Sequence, residues 1–146
     1  MGSRRAATEA WEALFRAQVS VMRHLTAAFP MHGISFNEYD VLFNLSLLEG
    51  HRARLKDLNR HLLLTQPSVS RLIDRLASRG IVWKQADPDD ARGVVVGLTD
   101  SGYGVFRTVA RVHVESIAER VGSALDDDEL HQLAILSDKL RSGGAG

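Results

Sequence analysis

The side chains best suited to chemistry in this sequence are hydroxyls and guanidinium groups in the stretch TQPSVSRLIDRLASRG at residues 65–80. Its apolar residues recur at helical spacing and predict one buried stripe, made of Val69, Leu72, Ile73 and Leu76. The remaining surface carries hydrogen-bond donors of two kinds, Ser68, Ser70, Arg71 and Arg75. Arginine donates two parallel hydrogen bonds to a guanine edge, and serine is short enough to let a helix lie close to a base or a phosphate. The residue types therefore indicate a nucleic-acid partner.

The charge distribution of the chain points the same way. The sequence is neutral overall, with 18 basic and 18 acidic residues. Residues 51–84 nevertheless hold eight Lys or Arg against two Asp, a net charge of +6, and residues 113–141 hold three basic against seven acidic residues, a net charge of −4. A localised positive field attracts polyanions. A solvated helical surface would have a similar composition, so charge alone leaves both interpretations open.

The length and composition of the chain limit the classes of protein to which it can belong. The chain has 146 residues, of which 45% are apolar, so it is long enough for one domain with a substantial core. It contains no apolar run near the ~20 residues of a membrane span and no opening export signal, so we expect a cytoplasmic protein without a membrane partner. The absence of cysteine excludes disulfides, thiolate metal sites and cysteine-based redox sensing.

The elements that must position the polar stretch are mostly helical. Apolar periodicity predicts a helix over residues 8–29 and a second one from the capping box SFNE, which begins at Ser35, to about Gly50. A short helix at 54–62 is followed at once by the helix at 65–79. Two helices joined by a very short turn match a helix-turn-helix, in which the second helix lies in the DNA major groove.

After Gly80 the periodicity changes from helical to alternating. The strands IVWKQ and VVVGLT flank the turn ADPDDARG and predict a β-hairpin. A long helix then begins at Thr99 or Asp100, and a last helix begins at a capping box formed by Asp126 and Glu129. The sequence therefore predicts a mainly α fold with a small β-hairpin.

The DNA contacts expected from these elements fall on the second helix and on the hairpin. The positive start of the helix favours phosphate, and an arginine at the hairpin tip would enter an adjacent minor groove. A lysine on the first strand would hold a backbone phosphate. The predicted contacts are Thr65, Gln66, Pro67, Ser68, Ser70, Arg71, Arg75, Lys84 and Arg92.

Over roughly residues 8–141 the sequence resembles the MarR-type winged helix-turn-helix transcriptional regulators. The most specific matches are LTQPSVSRLIDRLASRGIV and DDARGVVVGLTDSG, and NEYDVLFNL fits the second helix. The family's wing pattern D-x-R-x-x-x-V-x-L-T is matched by Asp90, Arg92, Val96, Leu98 and Thr99. Trp83-Lys84-Gln85 departs from the Glu and two basic residues that are common there, and Trp83 is expected to pack under the wing.

The resemblance implies a homodimeric repressor that binds a near-palindromic operator in double-stranded DNA. Residues 1–34 would form an N-terminal dimerisation helix, residues 35–99 the winged lobe, and residues 100–146 the C-terminal dimerisation helices. The broad apolar stripes of the terminal helices independently favour a partner chain. Asp90 would support the wing by pairing with Arg92 or the backbone, unless it is only a turn former. Asp74 is expected to orient Arg71 or Arg75.

The resemblance also implies release from DNA by a small anionic aromatic or phenolic ligand, which acts by shifting populations. The side chains expected to contact it are Trp11, Phe15, His24, Tyr39, Asp40, Phe43 and His113. Simpler interpretations stay open, since Trp11 and Phe15 also fit a dimer core and His113 also fits a buried position on an apolar stripe.

Other functions are less well supported by the residues. Six histidines are scattered at positions 24, 32, 51, 61, 113 and 131 without metal-ligand spacing, so no metal or other cofactor is expected. A metal-responsive regulator assembled from several segments stays an alternative, as does a winged-helix module for protein contacts without ligand sensing. No nucleophile triad, glycine-rich phosphate loop or carboxylate pair indicates an enzyme.

Overall fold

The structure is a computed structural model that describes residues 1–60, 62 and 64–143. His61, part of the predicted helix at 54–62 and one of the six histidines, lies outside the described residues. The chain divides into two compact units, Phe29–Arg111 and the combination of Met1–Ala28 with Val112–Gly146. Along the chain the elements are α1 (Arg4–Thr26), α2 (Phe36–Ser46), β1 (Arg52–Arg54), α3 (Leu55–Asn59), α4 (Gln66–Ser78), β2 (Val82–Asp87), β3 (Asp90–Leu98), α5 (Asp100–Arg120) and α6 (Asp127–Arg141).

The predicted mainly α fold with a small β wing is confirmed, but the segment before α4 differs from the prediction. The helix predicted over 54–62 is wrong in length, because α3 covers only Leu55–Asn59. The three residues before it form β1, which the sequence did not predict. A strand of three residues is too short to show alternation, and β1 exists because it pairs with β3 far along the chain.

The wing is a three-stranded antiparallel sheet in the order β1-β3-β2. The predicted turn over ADPDDARG is too long, since β2 continues to Asp87 and β3 begins at Asp90. Aspartate side chains make the short turn possible by bonding their own backbone two residues on. Asp87 Oδ1 accepts a hydrogen bond from the Asp89 amide at 2.9 Å, and Asp90 Oδ1 accepts one from the Arg92 amide at 3.0 Å.

The core of the Phe29–Arg111 unit explains why α4 presents its polar side outward. The predicted stripe is confirmed, because Val69, Leu72, Ile73 and Leu76 are 0–3% exposed. They pack in one cluster with leucines of α2 and with Val96 of β3. Burial of each such side chain contributes roughly 1.5–3 kcal/mol, so the apolar side is held firmly inward. The serines and arginines of α4 are thereby left at the surface.

The second unit contains α1, the C-terminal part of α5, and α6. The capping box at Asp126 and Glu129 is confirmed, with both reciprocal hydrogen bonds present. The Arg120 guanidinium donates a hydrogen bond to the Ser20 hydroxyl at 3.1 Å and ties α5 to α1. No residue of α6 is buried within the described chain. None of the described helices has the length and apolar character needed to cross a membrane.

Candidate nucleic-acid interface

The start of α4 is a small hydrogen-bonded assembly of side chains. Thr65 caps the helix, and its hydroxyl both accepts from the Ser68 amide at 3.4 Å and donates to the Ser68 hydroxyl at 2.9 Å. The Ser68 hydroxyl also accepts a hydrogen bond from Arg71 Nη2 at 3.4 Å. The guanidinium of Arg71 is therefore drawn toward the positive end of the helix dipole, where anions are favoured.

The residues predicted to contact DNA all belong to the Phe29–Arg111 unit. Ser68 is half-buried, as its hydrogen bonds require, and the others are exposed: Thr65, Gln66, Pro67, Ser70, Arg71, Arg75, Lys84 and Arg92. Exposure leaves these side chains accessible to a partner. Their roles as DNA contacts stay a prediction.

A polar groove of about 230 Å³ brings the start of α4 together with the wing. Gln66 and Ser70 line it from α4, and Arg92 lines it from β3. Two cations that the sequence analysis did not assign, Arg54 and Lys56, line the same groove. Their membership of the basic block at 51–84 was the one signal that pointed to them. Asp87, which pairs with Arg54, and Asp90 also line the groove, so it holds three cations from three elements against two carboxylates.

The expectation for Asp74 was wrong. Its carboxylate pairs with Lys84 Nζ on β2, rather than with Arg71 or Arg75. The reason is that β2 packs against α4, which brings the lysine to the carboxylate. Both side chains of the pair are substantially exposed, at 62% and 38%. Such a pair contributes only about 0–1 kcal/mol, so it holds Lys84 loosely.

The base of the wing is held by close packing on β3. Trp83 faces Gly97 across the β2–β3 register, and a Cβ on Gly97 would lie within 2.2 Å of the indole. Asp90 has a backbone partner in the Arg92 amide, one of the two arrangements expected for it. Trp83 and Asp90 therefore act within the wing itself.

The residues expected to contact a ligand are divided between the two units. In the unit that contains α1, Trp11 and Phe15 are 59% and 53% exposed, and His24 is also exposed. His113 is buried, and burial lowers the pKa of its imidazole below the ordinary value of 6.5. An imidazole held in this way favours its neutral form.

In the Phe29–Arg111 unit, Tyr39 is part of an aromatic stack. Its ring lies 5.6 Å from that of Phe106 and 6.3 Å from that of Phe43. Burial, and then the neighbouring Asp40, raise the pKa of the Tyr39 phenol. Burial also raises the pKa of the Asp40 carboxyl, although a hydrogen bond from Asn44 at 3.3 Å lowers it in part.

The described residues contain no group of three His, Asp or Glu side chains that would hold a metal ion. His61 is outside that statement.

Two consecutive helices, α3 and α4, define a winged helix-turn-helix protein together with a three-stranded antiparallel wing, in which β1 precedes α3 and the β2–β3 hairpin follows α4. The sequence profile of the MarR family matches residues 32–93. An uncharacterised HTH-type transcriptional regulator of Bacillus subtilis, YkoM, is 34% identical over 124 residues, which cover 85% of this chain and 79% of YkoM. The chain belongs to the MarR family of DNA-binding transcriptional regulators.

Solved structures agree on the fold. Sco3205 of Streptomyces coelicolor, a MarR-family regulator in complex with DNA, superposes with a TM-score of 0.81 at 24% identity, covering 100% of this chain and 92% of that one. BpsR of Bordetella bronchiseptica, whose DNA binding is regulated by 6-hydroxynicotinic acid, superposes with a TM-score of 0.77 at 22% identity, covering 91% and 98%. At these identities the likeness establishes the fold alone.

Proposed function

We propose that this chain is a sequence-specific transcriptional repressor that binds a near-palindromic operator as a homodimer and is released by a small aromatic or phenolic ligand. The observation that carries the proposal is the polar groove in which the exposed start of α4 meets Arg92 of the wing. It presents hydrogen-bond donors and positive charge on one surface, as a duplex requires.

In this proposal α4 enters the major groove with its N-terminal half. Arg71 pairs with both acceptors of a guanine, and Ser70 and Gln66 contact base edges or phosphates. Arg92 inserts into the adjacent minor groove, where a narrow A·T-rich segment concentrates negative potential. Lys84 exchanges its exposed Asp74 partner for a phosphate. Sco3205, which has the same fold and was solved in complex with DNA, supports DNA binding by a chain of this architecture.

The proposed homodimer is supported by the unit that contains α1 and α6. Nine of its large apolar side chains are left 36–66% exposed within the described chain, namely Trp11, Phe15, Val112, Val114, Ile117, Leu133, Ile135, Leu136 and Leu140. Monomeric proteins rarely expose apolar surface on that scale. A second copy of the same unit would cover it with two-fold symmetry, and the two α4 helices would then read half-sites about one helical turn apart.

The proposed effector is a small aromatic acid or phenol. The regulation of BpsR by 6-hydroxynicotinic acid supports this ligand class. A ligand that binds the DNA-free conformation more tightly releases the operator by shifting the population. The seven residues assigned above to ligand contact are our candidates, and a thermal-shift screen of hydroxylated aromatic acids tests the class. A compound that raises the melting temperature should also lower the affinity for DNA.

Selection from a random duplex library tests the DNA-binding part of the proposal. The full chain should enrich an inverted repeat with its half-sites about one turn apart. Binding measured by fluorescence anisotropy should then weaken steeply with salt, because each neutralised phosphate contributes about −0.9 to the log–log slope. A module used for protein contacts would enrich no sequence and would show a nearly flat salt dependence.

A further inference from the structure

The tip of the wing is fastened to the helix-turn-helix by one arginine that the proposed DNA contacts do not include. Arg54, the last residue of β1, directly precedes α3. Its Nε lies 2.9 Å from Asp87 Oδ2, and its Nη2 donates a hydrogen bond to Asp89 Oδ2 at 3.2 Å. Asp87 ends β2 and Asp89 lies in the turn that follows. One side chain therefore holds the turn of the hairpin against the segment that begins α3.

The burial of its carboxylate distinguishes this ion pair from the Asp74–Lys84 pair, the other ion pair between wing and helices. The Asp87 side chain is 2% exposed although that of Arg54 is 40% exposed, whereas the carboxylate of the other pair, Asp74, is 62% exposed. A buried carboxylate that loses its cation is left with an uncompensated charge, but an exposed pair is replaced by water at little cost. The Arg54–Asp87 pair is therefore the link that the wing cannot lose without rearranging.

The link continues from Asp87 to the proposed minor-groove arginine. A Cβ on Gly93 would lie 3.0 Å from the Asp87 Cβ and 3.2 Å from the Asp90 Cβ, so this part of β3 is packed directly on both aspartates. Asp90 in turn accepts a hydrogen bond from the amide of Arg92. The backbone that carries Arg92 is thus fixed between Gly93 and Asp90, on a turn that Arg54 anchors.

We infer that Arg54 is a positioning residue that sets where Arg92 points relative to α4, and that it thereby determines base preference at the operator flanks without contacting a base. The inference rests on the proposed function, in which Arg92 reads a minor groove. With Arg54 in place, α4 and the wing contact DNA at a fixed distance from each other. Without it, the turn moves and Arg92 no longer selects A·T-rich flanks.

Two duplexes test the inference. Both carry the half-sites enriched by the wild-type chain, one with A·T-rich and one with G·C-rich flanks, and their affinities are compared by anisotropy. We expect the wild type to prefer the A·T-rich duplex by at least about fivefold. Arg92→Ala and Arg54→Ala should each reduce the preference to less than about twofold. The double variant should lose no more than either single one, because both changes remove the same contact.

Two further variants separate positioning from other roles. Asp87→Asn leaves the Arg54 cation in place but weakens the anchor, and should also reduce the flank preference. Arg5→Ala removes an arginine from the exposed Arg5–Glu9 ion pair of α1 and should leave the preference unchanged. Equal weakening of both duplexes by Arg54→Ala, with an unchanged preference in Asp87→Asn, would make Arg54 a phosphate contact and overturn the inference.

Measurements on the free protein keep the test independent of DNA. Hydrogen exchange at the Asp89 and Arg92 amides should accelerate about tenfold or more in Arg54→Ala and stay constant in Arg5→Ala. If Arg54→Ala does not fold, the variant Arg54→Met/Asp87→Asn removes the buried charge together with its partner and takes its place. Unchanged exchange overturns the inference, whereas a wild-type chain that enriches no sequence overturns the proposed function alone.

Discussion

At the level of single residues, the Arg71 guanidinium already donates a long hydrogen bond, 3.4 Å, to the Ser68 hydroxyl before DNA arrives. Its hydrogen bond to Ser68, which is itself bonded to Thr65, restricts a long side chain that would otherwise sample many rotamers. A side chain ordered in advance loses less conformational entropy on binding. We therefore expect Arg71 to contribute more to sequence selectivity than Arg75, for which the structure shows no such side-chain bond among the described residues.

Arg71→Ala should weaken operator binding by about 1–3 kcal/mol and relax selectivity at one base pair in each half-site, because it removes a bidentate contact to guanine. Competition binding against operators substituted at each position measures both effects. Arg71→Lys is the matched control, since it keeps the charge but cannot donate two parallel bonds. Equal losses on every sequence would show that Arg71 holds a phosphate instead.

His113 should make the stability of the protein depend on pH. Burial lowers the pKa of its imidazole below 6.5, so the folded chain binds fewer protons than the unfolded chain between the two pKa values. The stability it contributes is complete above pH 6.5 and is lost as the pH falls through the folded-state pKa. Urea denaturation at several pH values should show the wild type losing stability relative to His113→Leu on acidification. A constant difference would contradict this assignment.

At the level of elements, the features that the sequence predicts are those with local causes. The stripe of α4 and the capping boxes of α2 and α6 follow from residues within a few positions of one another, and each is present. The length of α3, the strand β1 and the Asp74–Lys84 pair depend on segments that meet only in the folded chain. The ion pair of Arg54 could not be predicted for the same reason, since its partner Asp87 lies 33 positions away.

The candidate interface likewise has a part that the sequence predicts and a part that it does not. The sequence predicts that the arginines and serines of α4 are exposed, because helical periodicity separates them from the buried stripe. The sequence does not predict the groove that joins them to Arg92, because the groove depends on how the hairpin packs against α3 and α4. Sequence reasoning therefore finds the donors but not the surface on which they meet.

Two glycines near the start of α5 should respond in opposite ways to substitution by alanine. A Cβ on Gly102 would lie 1.9 Å from the Ile81 carbonyl oxygen, a backbone atom that cannot move aside cheaply. Gly102→Ala should therefore destabilise the protein by about 1–3 kcal/mol or more. Gly104, two residues on, has open space around it, and Gly104→Ala should stabilise the helix by roughly 0.5–1 kcal/mol. Thermal and urea unfolding of both variants decide the matter, and equal effects would contradict the close approach at Gly102.

At the level of the whole molecule, the proposed dimer depends on apolar side chains that have no cover within the described chain. Leu136 of α6 is 55% exposed, so a charged residue there meets little steric obstacle in a single chain. Leu136→Glu should convert a dimer to a monomer, because it buries a carboxylate in the interface. Light scattering after size exclusion measures the change.

Ala134→Glu is the matched control for that variant, since it adds an acid at an exposed position about 160° around the same helix from Leu136. It should remain dimeric. The Leu136→Glu monomer should also bind the full operator much more weakly, because it engages one half-site at a time. A monomeric wild type would contradict the proposed mode of binding outright.

The indole that lies against Gly97 gives this chain a built-in optical probe. The sequence has two tryptophans, and Trp83 is the one packed on the sheet. In a Trp11→Phe variant, the emission spectrum would come from Trp83 alone and would shift to longer wavelength whenever the strands loosen and water reaches the ring. A duplex that loosens the strands of the wing would then be detected in real time without an attached dye.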